Sequence, residues 1–261
     1  MSDKGMIFSA PMVRALLEAR KTQTRRILKP APPVWVYPSD APGYSCLTPK
    51  GHIEFRGRYI DTDGVDHGPA SKFIKLPFLK GDRLWVRETW AVASIYDGKT
   101  ASEINPDRIP LYCGIRYAAN QERLGIKDRS ARFMPRWASR LWLEITDVRV
   151  QRLQAISDAD AEAEGCVWDS ADGYDVWYVP GGHLPRHGAT ATECYSILWD
   201  SLRTEPTQRW AADPWIVAAT FKVHRENIDL PVPRCPHGEP MEGGWCDICA
   251  SEAMEADDVL L

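Results

Sequence analysis

No stretch of this 261-residue chain approaches the run of roughly 18 apolar residues that a membrane-spanning helix needs, so no helical span is expected. The first residues, Met1-Ser2-Asp3-Lys4-Gly5, lack the apolar core of a secretory signal, and the expected setting is cytoplasmic. Neither sign of charge is in large excess. With 32 lysines and arginines against 36 acids, the net charge of −4 excludes a surface that coats nucleic acid by charge alone. The balance is uneven along the chain. From Arg234 onward seven acids face one base, which leaves 31 bases against 29 acids in residues 1–233 and room for local basic patches. Cysteines number seven, and Cys46, Cys113, Cys166 and Cys194 are scattered singly, which does not suit a secreted disulfide framework. No internal repeat is present.

What remains is the composition of a globular protein, 44% hydrophobic and 26% charged, long enough for one or two domains. Met6 to Ser9 reads as a short strand. Pro11 then suits a first helical turn, and Met12, Val13, Leu16 and Leu17 recur at helical spacing, so residues 11–19 read as an amphipathic helix. Lys21 to Leu28 reads as a turn leading into a strand. Arg83 to Trp90, residues 140–152 and Trp215 to Phe221 are β candidates, the second with a phase shift near Asp147. Ser157 suits the cap of a short acidic helix that Gly165 stops, and another helix is expected at 190–202.

Between these elements lie three insertions, at about 30–77, 94–130 and 167–189. The first is rich in proline and reads as a long loop with a hairpin near Gly51 to Tyr59. Strands outnumber helices and do not alternate as βαβ units. The pattern therefore predicts an α+β fold, a small and mostly antiparallel barrel with a few helices.

The chemistry-bearing segment is Arg20-Lys21-Thr22-Gln23-Thr24-Arg25-Arg26. A lysine three residues before a threonine, just past a helix, can place an amine and a hydroxyl in one pocket, with Arg20, Arg25 and Arg26 as an anion-friendly rim. Spacing alone leaves open a solvated basic turn. Glu88, on the strongest strand candidate, is an alternative pocket carboxylate or an outward residue paired nearby. Trp137, between Arg136 and Arg140, is placed to stack on a base or to plug the barrel.

Resemblance narrows these choices. Leu17 to Arg26 resembles the Gly-x-Lys-x-x-Thr-x-Arg signature of the ASCH-domain family in the PUA-like superfamily, with Ala19 where the family often has glycine. Gly81-Asp82-Arg83-Leu84-Trp85-Val86, the acidic helix from Leu153 to Gly165 and the strand Trp215 to Val223 follow in the family's order. Together with Met134 to Arg140, the blocks cover a third to a half of the chain and most resemble longer ASCH-type proteins of phages and prophages. The resemblance implies a PUA-like barrel over residues 1–229. Small members of the family include bacterial N4-acetylcytidine amidohydrolases that use a lysine, a threonine and a glutamate. Carried over, these fall on Lys21, Thr24 and Glu164, and no cofactor is implied for the chemistry. Other members bind or cleave nucleic acid. The expected partner is thus a nucleoside or single-stranded nucleic acid, with either amidohydrolysis or binding as the activity.

Near the C-terminus, Cys235-Pro236-His237 and Cys246-Asp247-Ile248-Cys249 form a C-x-H-x8-C-x2-C pattern. Zinc favours four sulfur or nitrogen ligands in a tetrahedron, so residues 230–250 read as a structural zinc knuckle, the other reading being free thiols in a tail. Residues 251–261 read as an acidic tail. The zinc reading predicts bound zinc in full-length protein purified without added metal, and its loss when Cys246 and Cys249 are both changed to serine. Elemental analysis checks this, and metal-free wild-type protein contradicts it.

Overall fold

Alternating apolar residues organise the centre of the fold. A computed structural model describes residues 3–31, 48, 50–60, 63–105, 115–120, 127–170, 176–180 and 188–229. The chain runs through β1 (Asp3–Ile7), α1 (Ala10–Leu17), β2 (Gln23–Ile27), β3 (His52–Ile60), β4 (Asp66–Lys75), β5 (Arg83–Arg87), β6 (Trp90–Ala91) and β7 (Arg116–Tyr117). It continues through β8 (Trp142–Arg152), α2 (Asp158–Ala163), β9 (Val167–Asp169), β10 (Val176–Tyr178), α3 (Ala191–Ser201) and β11 (Trp215–His224), with single 3-10 turns between.

Five strands form the main sheet in the order β1-β5-β8-β11-β2. Only β1 and β5 pair in parallel; the other three ladders are antiparallel. β11 is buried at every residue from Ile216 to Ala219, as a strand covered on both faces must be. Its Val217, Ala219 and Phe221 join a core with Val13 and Leu16 of α1, while Ile216 and Ala218 join a second core with Cys194, Tyr195 and Trp199 of α3. The phase shift read near Asp147 is a bulge. Asp147 pairs with Thr220 and Ile145 with Phe221, so Thr146 is the extra residue.

The fold is α+β and mostly antiparallel, but the expected barrel is not closed among the described residues. β1 and β2 stay edges with no ladder between them. The sheet nonetheless curls until Arg26 Nη2 on β2 donates to the Ile7 carbonyl at the end of β1 (3.0 Å). A side chain, not a backbone ladder, spans the seam, and the exposed Asp3 and Lys4 of β1 keep that edge polar.

Two other expectations change. The hairpin expected near Gly51 to Tyr59 is longer than that reading, since β3 and β4 pair from His52 to Lys75, while residues 32–47 of the expected loop lie outside the described residues. Ile53, Phe55 and Ile74 point into the first core, and a two-stranded ribbon leaves an outer edge where Pro69 loses no ladder bond. The strand read from Arg83 to Trp90 breaks after Arg87, where buried Glu88 turns to meet Arg140. No helix among the described residues is long and apolar enough to cross a membrane.

Candidate functional site

The turn after α1 determines where Lys21 goes. Ala19 has φ of 56°, and the amides of Ala19 and Arg20 return to the carbonyls of Leu16 (3.1 Å) and Ala15 (2.9 Å). This is the double closure of a Schellman motif, in which a residue in the left-handed region ends the helix. For alanine that conformation costs roughly 1–2 kcal/mol relative to a right-handed one. The Lys21 amide also reaches the Ala15 carbonyl (3.0 Å), so the chain leaves the helix tightly. Thr22 then ties the turn to two other elements: its amide donates to the Ala163 carbonyl at the end of α2, and its carbonyl accepts from the Phe221 amide of β11, both at 2.9 Å.

Those ties bring Lys21 onto the C-terminal end of α2. Ser157 caps the start of that helix, accepting from the Asp160 amide, and Glu164 sits at its end before Gly165, whose φ is 108°. Lys21 Nζ donates to the Glu164 carboxylate (Oε2, 2.5 Å) and to its backbone carbonyl (3.0 Å). Arg25 Nη1 donates to the other carboxylate oxygen (3.0 Å), and its Nη2 lies 2.8 Å from Asp160 Oδ2. A glutamate at a helix C-terminus is locally unfavourable; here two cations offset that cost. Lys21 is 1% exposed and Glu164 6%, so both charges have left water. Burial pulls the Lys21 ammonium below the ordinary lysine value, against the raising effect of Glu164 and with added repulsion from Arg26 and Arg25.

Small residues opposite make the space. Arg25 pairs in register with Ala218 and Thr24 with Ala219, and directly opposed residues share a face. Arg25 therefore points toward α2 and α3, and Thr24 toward the other face. Because β2 is an edge strand, a pocket of about 40 Å³ at its free side is bordered by both, together with Glu164, Arg26 and Tyr195. Met12 of α1 and Leu198, Trp199, Leu202 and Arg203 from α3 and the residues after it complete the lining. Arg25 Nε is buried there without a hydrogen-bond partner. Burial, then the Glu164 charge, push the Tyr195 hydroxyl well above its ordinary value and keep it neutral.

The structure therefore brings Lys21 and Glu164 into contact and puts Thr24 on the pocket that Glu164 borders, but Lys21 itself does not line that pocket and no hydrogen bond joins it to Thr24 among the described residues. Of the proposed rim, Arg25 and Arg26 border it, whereas Arg20 turns to the surface and pairs with Glu18 (2.5 Å). Glu88 lies elsewhere. Both its oxygens are held by Arg140 (2.9 and 3.1 Å), and burial raises its carboxyl above the usual range. Trp137 is also elsewhere, packed edge-on against Trp90 with ring centroids 5.8 Å apart. Cys235, His237, Cys246 and Cys249 lie outside the described residues, and among those described no group of three or more His, Cys, Asp or Glu could hold a metal.

Sequence reasoning missed the outer layer. Asp160 Oδ1 accepts from Gln23 (2.9 Å) and Arg149 (2.9 Å), and Arg149 also donates to Gln23 Oε1 (3.1 Å). Gln23 and Asp160 lie in the two blocks already singled out, so the signal was their alternation with Arg25 and Glu164. Arg149 and Tyr195 carried none. Beside Glu164, the Cys166 thiol is pushed up by its hydrogen bond to Cys194 and by burial, which makes it a poor nucleophile.

No protein-family model, curated protein or solved structure matches the chain. Removing one member of a buried ion pair leaves the other charge unpaired, so Glu164→Ala is expected to lose about 3–5 kcal/mol of stability. Combining it with Lys21→Met should cost clearly less than the two single losses added together. Urea unfolding of the four proteins in this cycle checks the coupling, and additive losses contradict it.

Proposed function

We propose that the chain is an ASCH-type, PUA-like protein that acts in the cytoplasm as an amidohydrolase on N4-acylated or otherwise modified pyrimidine nucleosides. The observation that carries this reading is the buried 2.5 Å contact between Lys21 and Glu164, next to a pocket bordered by Thr24. A further support is Ala19. It stands where the resembled signature has glycine, and its φ of 56° is the conformation that glycine enters without penalty.

The chemistry follows from these groups. Glu164 orients Lys21 and tunes its charge, and burial lowers the lysine pKa, which eases loss of the ammonium proton to solvent and leaves a neutral amine as base. In this step Lys21, which lies outside the pocket lining and donates to Glu164 in the resting structure, has to reach the Thr24 hydroxyl as substrate opens the pocket, and removes its proton as the oxygen adds to the acyl carbonyl. The unpartnered Arg25 Nε supports the oxyanion. Collapse breaks the C–N bond, and Lys21 returns the proton to the departing amine. Water then cleaves the threonine ester by the same route and regenerates the hydroxyl. At about 40 Å³ the resting pocket holds little more than a water molecule, so substrate entry displaces Leu202 and Arg203 at its margin.

That narrow pocket favours a second reading, a module that binds nucleosides or single-stranded nucleic acid without chemistry. Deacetylation of N4-acetylcytidine separates the two. The enzyme reading predicts turnover by the wild type and a fall of at least about a hundredfold in folded Lys21→Met and Thr24→Val. Equal rates in wild type and Lys21→Met remove the mechanism, and saturable binding with no turnover by the wild type leaves the module.

A further inference from the structure

A second and far larger cavity, about 1010 Å³, lies between Trp90 of β6 and residues 97–104 and 127–137. It shares no lining residue with the Thr24 pocket. Fully buried Trp90 forms part of its wall, Trp137 stands edge-on against Trp90, and Phe133, 67% exposed, extends the aromatic surface.

The polar atoms around it are unusually placed. Trp90 Nε1, Arg129 Nε and Asp97 Oδ1 are buried and have no hydrogen-bond partner. Buried polar atoms in folded proteins are nearly all hydrogen-bonded, so two donors and one acceptor left over on residues of one cavity call for a partner. Arg129 is held in place meanwhile: it donates to the carbonyls of Lys99 (2.8 Å) and Tyr96 (2.5 Å), and its guanidinium lies 5.5 Å from the Trp90 ring centre. Lys99 and Lys127 are exposed among the lining residues. Against Asp97 and Asp128, the three cations leave one net positive charge.

From these features we infer that the cavity binds a nucleotide unit, a planar heterocyclic base bearing a phosphate, either free or within a single strand. The base stacks on Phe133 and Trp137, the aromatic wall residues that are not fully buried, and its polar edge meets the covered atoms of Trp90, Arg129 and Asp97 once the wall opens on binding. The phosphate lies toward Lys99 and Lys127. At 1010 Å³ the space is at the upper end of the range for small-ligand sites, enough for a nucleotide with its hydration. The site is independent of whether Lys21 performs chemistry.

Calorimetric titration of the full chain tests it, with nucleoside monophosphates, the matching nucleosides and a short single-stranded oligoribonucleotide as probes. Saturable binding of a monophosphate is expected, about tenfold weaker for the nucleoside, and about tenfold weaker in Phe133→Ala and in the Lys99→Glu, Lys127→Glu double variant. All three positions are exposed, so these variants should fold. Binding of the oligoribonucleotide alone, with the same sensitivity to the variants, places the unit within a strand. Absence of saturable binding for every probe, or binding indifferent to both variants, overturns the inference.

Discussion

Burying a lysine against a glutamate is expensive unless the charges are paired and hydrogen-bonded, and the architecture around Lys21 and Glu164 meets that demand for both carboxylate oxygens while leaving Arg25 Nε over. Both oxygens of Glu164 are occupied, one by Lys21 and one by Arg25. Asp160 shares the charge of Arg25, and Gln23 and Arg149 share that of Asp160. Secondary structure follows the same constraint. The left-handed turn at Ala19 aims Lys21 inward, Thr22 stitches that turn to α2 and β11, and Ala218 leaves space for a buried guanidinium. A bulkier residue at 218 would have to displace Arg25 and with it the contact to Glu164.

This clustering also explains the tension between stability and access. A pair so well covered is held rigidly, which suits a group that must keep a defined proton position. The same cover leaves room for about one water beside Thr24. On the proposed amidohydrolase reading, a substrate has to move side chains after α3, where Leu202 is 47% exposed, rather than the ion cluster itself. Motion and chemistry are thus assigned to different parts of the pocket.

How much of this was legible in the sequence varied with distance along the chain. Helix α1, the capped helix α2 and the bulge opposite Thr220 followed from local periodicity and capping residues, because nearby residues determine them. The hairpin from His52 to Lys75 was partly hidden, since its Pro69 and three glycines imitate a loop while Ile53, Phe55 and Ile74 mark the buried face. Seam closure could not be read at all: whether β1 and β2 pair depends on the curl of the whole sheet, and Arg26 takes the position that a ladder would need. For the site, the Lys21 and Glu164 blocks meet in space, whereas Glu88 and Trp137, each read with two alternatives, lie away from that pair. Both belong to side chains meeting across long separations, Arg140 for the first and Trp90 for the second, which no spacing rule encodes.

The central claim is that Lys21 is a buried amine poised by Glu164, and its own titration tests this most directly. Burial lowers its pKa from the ordinary 10.5, whereas the charge and hydrogen bond of Glu164 raise it. Following the Lys21 side-chain nitrogen by NMR across pH, the account predicts a midpoint below 10.5 in the wild type and a lower one still in Glu164→Gln. A lysine that titrates at the ordinary value and does not respond to Glu164→Gln would contradict it.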